Sequence, residues 1–239
     1  EEVENGLFTD ADLVVASGGE AMVRSLAPRV PGPLLLYGPR MAIGLVGGAW
    51  RDAPRAWWMR VAREIALWEQ AGCLSPRVLF VAGDRRGFAL QLAGALAARE
   101  RRWPAPPRTA AETSAVLCFR AGYEMGDGRR RGIVHVATPA WSVVWDDAPS
   151  LEAGSAARVV RVTGLPDPRR LRALLTAHPD ALQGVGTAWL GRWEGAYRAA
   201  LEGTGVGFLA PLDAIQDPPA GWRADGRSGS TDTPSRRLP

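Results

Sequence analysis

Apolar and polar positions along the chain fall into short segments of two distinct periods. Residues 12–17, DLVVAS, read as a buried strand ending at Gly18-Gly19. Glu20 to Leu26 then has helical character up to Pro28, with Glu20 in the first turn. LLLY at 34–37 is a second strand, closed by Gly38-Pro39. Met41 to Val46 is a third apolar stretch and ends in Gly47-Gly48. The clearest helix covers residues 53–71, where Trp57, Val61, Ile65 and Trp68 recur at helical spacing with Arg60, Arg63 and Glu64 between them. It runs into Gly72-Cys73, then Leu74-Ser75-Pro76, then a strand over Arg77 to Ala82. Residues 87–100 are helical, 103–109 form a loop, and 115–120, 132–137 and 158–163 read as strands. A helix over Pro166 to Ala177 carries Pro168 near its start, where proline is tolerated. A last helix over 187–202 sets Trp189, Trp193 and Tyr197 on one stripe. The polar, Pro-containing stretch from 228 onward predicts disorder. Strands alternating with helices predict an α/β sheet domain.

Composition narrows the function classes. At 239 residues the chain suits one large domain or two small ones. No apolar run approaches the roughly 20 residues that span a bilayer, and the N-terminus lacks the basic and apolar regions of a signal peptide. Two cysteines are no disulfide framework, so a cytoplasmic setting is expected. No metal site is expected, because His135 and His178 are the only histidines and no Cys or His pair has ligand spacing. The charge of +4 is carried by arginine without a single lysine. Arg99, Arg101 and Arg102, and Arg129 to Arg131, are short runs near acids and without interleaved aromatics. They read as solvated surface, and no nucleic-acid partner is expected.

The chemistry centres on Cys73. It follows a long helix and a glycine and precedes a Pro-marked turn into a strand. Such a junction can hold a thiol in a cleft with backbone N–H groups nearby. Position alone leaves a second reading open, a buried and inert cysteine packed as a small hydrophobe.

The run EQAGCLSPRVLFVAG resembles the catalytic-cysteine region of the aldehyde dehydrogenase superfamily. It is most similar to the acyl-CoA reductases of bacterial bioluminescence operons, the LuxC type, which place Gln and small residues before Cys and Ser-Pro before a strand. Gly18-Gly19-Glu20-Ala21 resembles that family's Gly-Gly-Glu segment at the close of the nucleotide-binding domain. Leu36-Tyr37-Gly38-Pro39-Arg40 is similar to its Tyr-Gly-Pro segment at the entry to the catalytic domain. Leu182-Gln183-Gly184-Val185-Gly186 and the stretch from Gly205-Val206 to Trp222 with Asp225-Gly226 resemble its later motifs. The likeness covers roughly residues 11–227.

The resemblance implies an aldehyde dehydrogenase-like catalytic domain over 34–227, a remnant of a dinucleotide-binding domain over 1–33, and an unrelated tail over 228–239. The chain is accordingly expected to be partial. It implies that the Cys73 thiolate attacks an acyl-CoA or acyl-protein thioester, with the Cys73 N–H and a second donor holding the oxyanion. Hydride from NADPH then reduces the acyl-enzyme to aldehyde. A short-chain CoA-acylating aldehyde dehydrogenase and a non-catalytic module stay open as alternatives. Gly18, Gly19 and Glu20 are the expected cofactor contacts, although Glu20 also serves simply as a helix-start acid. Gln70, Tyr37 and Trp141 are expected to support the site. Trp141, with Trp145, would line an acyl channel or belong to the core. The hydrolytic members' water-activating Glu has no counterpart in Leu36-Tyr37-Gly38-Pro39, which favours reduction over hydrolysis. An acyl-protein synthetase and a thioesterase are the family's partners, and a homo-oligomer is left open. Glu69 is expected to face solvent, Cys118 to be a packed core cysteine in a strand, and His135 to be a satisfied structural histidine.

Overall fold

The computed structural model describes residues 2–38, 40–125, 131–154, 157–179 and 181–222. The expected disordered tail lies outside them. The chain divides into two compact units between Arg40 and Met41.

The first unit holds α1 (Glu2–Asp10), β1 (Val14–Ser17), α2 (Glu20–Leu26) and β2 (Leu34–Tyr37). Its strands pair in parallel, from Val14 with Leu34 to Ser17 with Tyr37, so the segment at 34–37 belongs to this unit.

The second unit is built on β3 (Met41–Val46), α3 (Arg55–Ala66), β4 (Pro76–Val81), α4 (Arg85–Arg102), α5 (Ala110–Glu124), β5 (Gly132–His135), β6 (Ser142–Trp145), β7 (Val159–Gly164), α6 (Pro168–Thr176), β8 (Leu182–Ala188), α7 (Glu194–Leu201) and β9 (Phe208–Pro211). The strands form one sheet of order β5-β6-β7-β4-β3-β8-β9, parallel except for the antiparallel edge pair β5 and β6. A parallel sheet covered on both faces calls for unbroken apolar strands, and MAIGLV of β3 is buried at every position. Ile43, Leu45, Val78 and Phe80 pack with Leu171, Leu175, Tyr197 and Leu201 of α6 and α7. Leu79, Val81, Val143 and Val162 pack on the other face with Trp57, Trp58, Val61 and Ile65 of α3 and Phe88, Leu92 and Leu96 of α4.

One patch of that second face carries no side-chain bulk. Gly44 of β3 lies opposite Gly186 of β8, and Ala42 opposite Gly184. A Cβ on Gly44 would come within 2.6 Å of Leu79 and 3.0 Å of Leu212, one on Gly186 within 2.8 Å of the Leu212 Cα, and one on Gly184 within 2.8 Å of Leu74. Leu74, Leu212 and Ile215, all buried, fill that space.

Several elements differ from the sequence expectation. Residues 115–120 are helix, not strand. Thr109 and Glu112 form a reciprocal capping box at the start of α5, and the buried positions Val116, Arg120 and Tyr123 recur at helical spacing. Cys118 is therefore exposed on a helix and is not a core cysteine. The segment 187–202 is not one helix. β8 continues to Ala188, positive φ at Trp189 (49°) and Gly191 (55°) turns the chain, and Trp193 is 53% exposed. Helix 53–71 stops at Ala66, for reasons given below. His135 sits between the Val136 carbonyl (2.6 Å) and Glu124 (3.2 Å), as a structural histidine should.

Asp146 after β6 locks the β5-β6-β7 edge. It accepts two hydrogen bonds from Arg161 (2.7 and 2.9 Å) and one from the Tyr123 hydroxyl (2.8 Å). Burial alone would raise its pKa, but the hydrogen bonds and charge of Arg161, with Tyr123, hold it below the ordinary 3.8. Its stabilisation is thus present above pH 3.8 and disappears as pH falls through the folded value. Asp146→Asn should cost about 3–5 kcal/mol at neutral pH by leaving Arg161 uncompensated. The gap to wild type in thermal unfolding should close in acid.

Candidate active site

α3 brings the chain across the sheet with Trp57, Val61 and Ile65 buried, then ends against its own handedness. Trp68, Glu69 and Gln70 all lie in the left-handed region, at φ 55°, 50° and 63°. Each such non-glycine residue costs on the order of 1–2 kcal/mol. The turn takes Trp68 off the helical stripe and leaves it 74% exposed. Ala157 and Arg158, before β7, are also left-handed, at 74° and 58°, and the Ala157 N–H donates to the Glu69 carbonyl at 2.8 Å. The two strained segments therefore abut.

Side chains hold them there. Gln70 is fully buried. Its Nε2 donates to the Pro76 carbonyl at 2.9 Å and its Oε1 accepts the Val159 N–H at 2.8 Å, so one amide closes the loop that carries Cys73 and ties it to β7. Glu69 does not point freely to solvent. Arg158 donates to its Oε1 from Nε (3.1 Å) and Nη2 (2.5 Å), and Arg108 Nη2 stands 3.5 Å from its Oε2. Arg158 also meets Glu100 at 2.6 Å, and Arg108 donates to the carbonyls of Pro139, Ala140 and Ala157. Charge-assisted bonds of buried arginines are of a size to offset the backbone strain.

Within the loop the Ser75 N–H closes a turn onto the Gly72 carbonyl at 3.0 Å, and Leu74 and Ser75 are buried. Cys73, between these anchored neighbours, is solvent-exposed. A cysteine buried as a small core hydrophobe is thereby excluded. Chemically, the arrangement offers an accessible thiol on a short loop whose ends are fixed.

Trp141 is 3% exposed and packs in the core beside α4, with its carbonyl accepting from the buried Arg120 at 2.9 Å. A cleft of about 660 Å³ between α3 and α4 is lined by Trp50, Arg51, Trp58, Met59, Gln91 and Arg101 among others, and neither Trp141 nor Cys73 belongs to its wall. In the first unit the Gly18 N–H donates to the Tyr37 carbonyl at 3.2 Å, so Gly18 and Tyr37 share one corner, and Glu20 opens α2. A Cβ on Gly19 would meet nothing within 4 Å, so the space beside its backbone is open. No GxGxxG phosphate loop follows a strand among the described residues. Nothing local in the sequence marks Arg158, Arg108 and Gln216 as site residues, and Ser75 stands in the cysteine motif without a role that the motif reveals. Arginines inside the apolar run ARVVRV were the one hint, because a charge in a buried strand needs a partner.

Comparison with known proteins agrees with this architecture. The family model described as acyl-CoA reductase (LuxC) matches residues 1–230. No curated protein matches the chain. Among solved structures, a putative methylmalonate-semialdehyde dehydrogenase from Sinorhizobium meliloti, complexed with NAD, is 12% identical with a TM-score of 0.65, over 91% of this chain and 49% of its own. The P. syringae indole-3-acetaldehyde dehydrogenase is 15% identical with a TM-score of 0.62, over 88% and 46%. Aldehyde dehydrogenase 21 from Physcomitrella patens is 14% identical with a TM-score of 0.60, over 94% and 50%. At such identities the likeness establishes an aldehyde dehydrogenase-like fold, and the chain spans about half the length of these structures. Because the LuxC model matches nearly the whole sequence, the chain belongs to the LuxC family of acyl-CoA reductases.

Proposed function

We propose that the chain is the Cys73-bearing part of an enzyme that reduces a fatty acyl thioester to an aldehyde. The observation that supports this most is an exposed thiol on a loop fixed at both ends by a buried glutamine. In this reading the Cys73 thiolate adds to the thioester carbonyl, an Sγ–C bond forms, and the coenzyme A thiolate leaves with the electrons of the broken bond. Gln70, Glu69 and Arg158 keep the loop in one geometry so that the thiol need not be ordered at the moment of attack. NADPH, when bound, supplies hydride to the acyl group, and Gly18, Gly19 and Glu20 would meet only its nicotinamide edge. The acyl donor is acyl-CoA or an acyl-protein thioester, such as an acyl-protein synthetase would deliver. No helix among the described residues is long and apolar enough to cross a membrane.

The purified enzyme should oxidise NADPH with a long-chain acyl-CoA, and Cys73→Ala should abolish that turnover. Unchanged turnover in the variant would remove Cys73 from the mechanism. A chain-length series should favour long acyl groups, whereas preference for acetyl-CoA and NAD would support a short-chain CoA-acylating dehydrogenase. Gln70→Ala should lower kcat by about 10- to 100-fold with little change in KM, since it releases the loop without touching substrate. Steady-state kinetics on the folded variant checks this.

A further inference from the structure

A second glutamine reaches the loop from far along the chain. Gln216 follows β9 and the short 3-10 turn Leu212–Ala214. Its backbone N–H donates to Glu64 Oε2 at 2.7 Å, its Nε2 donates to the Glu64 carbonyl, and its Oε1 accepts from the Ser75 hydroxyl at 3.2 Å. Glu64 lies on α3 and is 1% exposed, and Ser75 is fully buried. A Cβ on Gly72 would stand 3.1 Å from the Ser75 Oγ and 3.2 Å from the Gln216 Oε1, so the loop is packed directly onto this amide.

We infer that Gln216 is a positioning residue for Cys73, joining α3 and the β8–β9 end of the sheet to the loop that presents the thiol; this rests on the proposed role of Cys73. The seat of Gln216 is built into the sheet. The bare patch at Gly44, Gly184 and Gly186 receives Leu212, Leu74 and Ile215, and Ile215 immediately precedes Gln216. Asp213 is held to α3 by Arg60 at 2.7 Å, one helical turn before Glu64. Burial raises the Glu64 pKa, and the Gln216 N–H opposes that rise, so the carboxyl is chemically tied to this contact. Gln70 pins the ends of the loop and Gln216 pins Ser75, two residues from the thiol. With either lost, the Gly72–Ser75 turn can rotate and carry Cys73 away from a bound thioester.

The test compares two reactions of one thiol in the purified enzyme. Acyl transfer from a long-chain acyl-CoA to Cys73 is followed by quenched mass spectrometry. Alkylation of Cys73 and Cys118 by iodoacetamide, which asks for no oriented partner, is followed by peptide mapping. Gln216→Ala and Ser75→Ala should each slow acyl transfer by about 10- to 100-fold at unchanged KM. Alkylation of Cys73, which needs no oriented partner, should not change, and neither should that of Cys118. If Gln216→Ala fails to fold, Ser75→Ala, which removes one hydroxyl, gives the answer. Wild-type acylation rates at Cys73 in Ser75→Ala, or in a folded Gln216→Ala, would overturn the positioning role and leave Cys73 in place as nucleophile. Acylation that persists in Cys73→Ala would overturn the role of Cys73, and the inference with it.

Discussion

Three consecutive non-glycine residues in the left-handed region are a cost that a helix end seldom carries. Trp68, Glu69 and Gln70 carry it because the bonds they gain exist only in that conformation. Had α3 continued in register to residue 71, Gln70 would not reach both Pro76 and Val159, and Glu69 would not meet Arg158. The turn also carries the chain out of the apolar face on which Trp57, Val61 and Ile65 lie, so that Cys73 emerges at the surface instead of joining the core. Accessibility of the thiol and rigidity of its loop therefore have one cause. Backbone strain of this size, clustered in two touching segments, is the kind of feature that persists only where the surroundings over-determine it.

The sheet contributes through what it omits. Glycine is poor in strands because it adds no side chain and loses more entropy on ordering. Here Gly44 and Gly186, paired across β3 and β8, with Gly184 beside them, let Leu212 and Ile215 lie almost on the strands. That close approach brings the segment after β9 to Arg60 and Glu64 of α3 and to Ser75 of the cysteine loop. The core on this face and the geometry of the candidate site are consequently one packing problem, and changes at the glycines would be felt at Cys73.

Much of the order of elements was legible in the sequence, because β1 to β4, α4, β7 and α6 are largely apolar segments set off by Gly or Pro. Other segments misled for identifiable reasons. AVLCF is an apolar run that reads as strand until the Thr109–Glu112 capping box is given its weight. LQGVGTA hides a central strand because two of its seven residues have no side chain. Near the site, Cys73 and Gln70 stand in one local run of sequence and could be named together. Their anchors could not: Arg158 and Val159 are 89 residues from Glu69 and Gln70 respectively, and Gln216 is 141 from Ser75. Nothing local marks a contact that only the closed sheet creates.

The roles proposed for Gln70 and Gln216 depend on the Cys73 sulfur being the atom that takes the acyl group. The direct measurement is to incubate the protein with a long-chain acyl-CoA in the absence of NADPH, quench in acid, digest, and locate the added acyl mass by tandem mass spectrometry. The expected result is a thioester on the peptide containing Cys73, removable by hydroxylamine, with Cys118 unmodified. An acyl group found on Cys118 or on another residue, with Cys73 recovered as the free thiol, would contradict it.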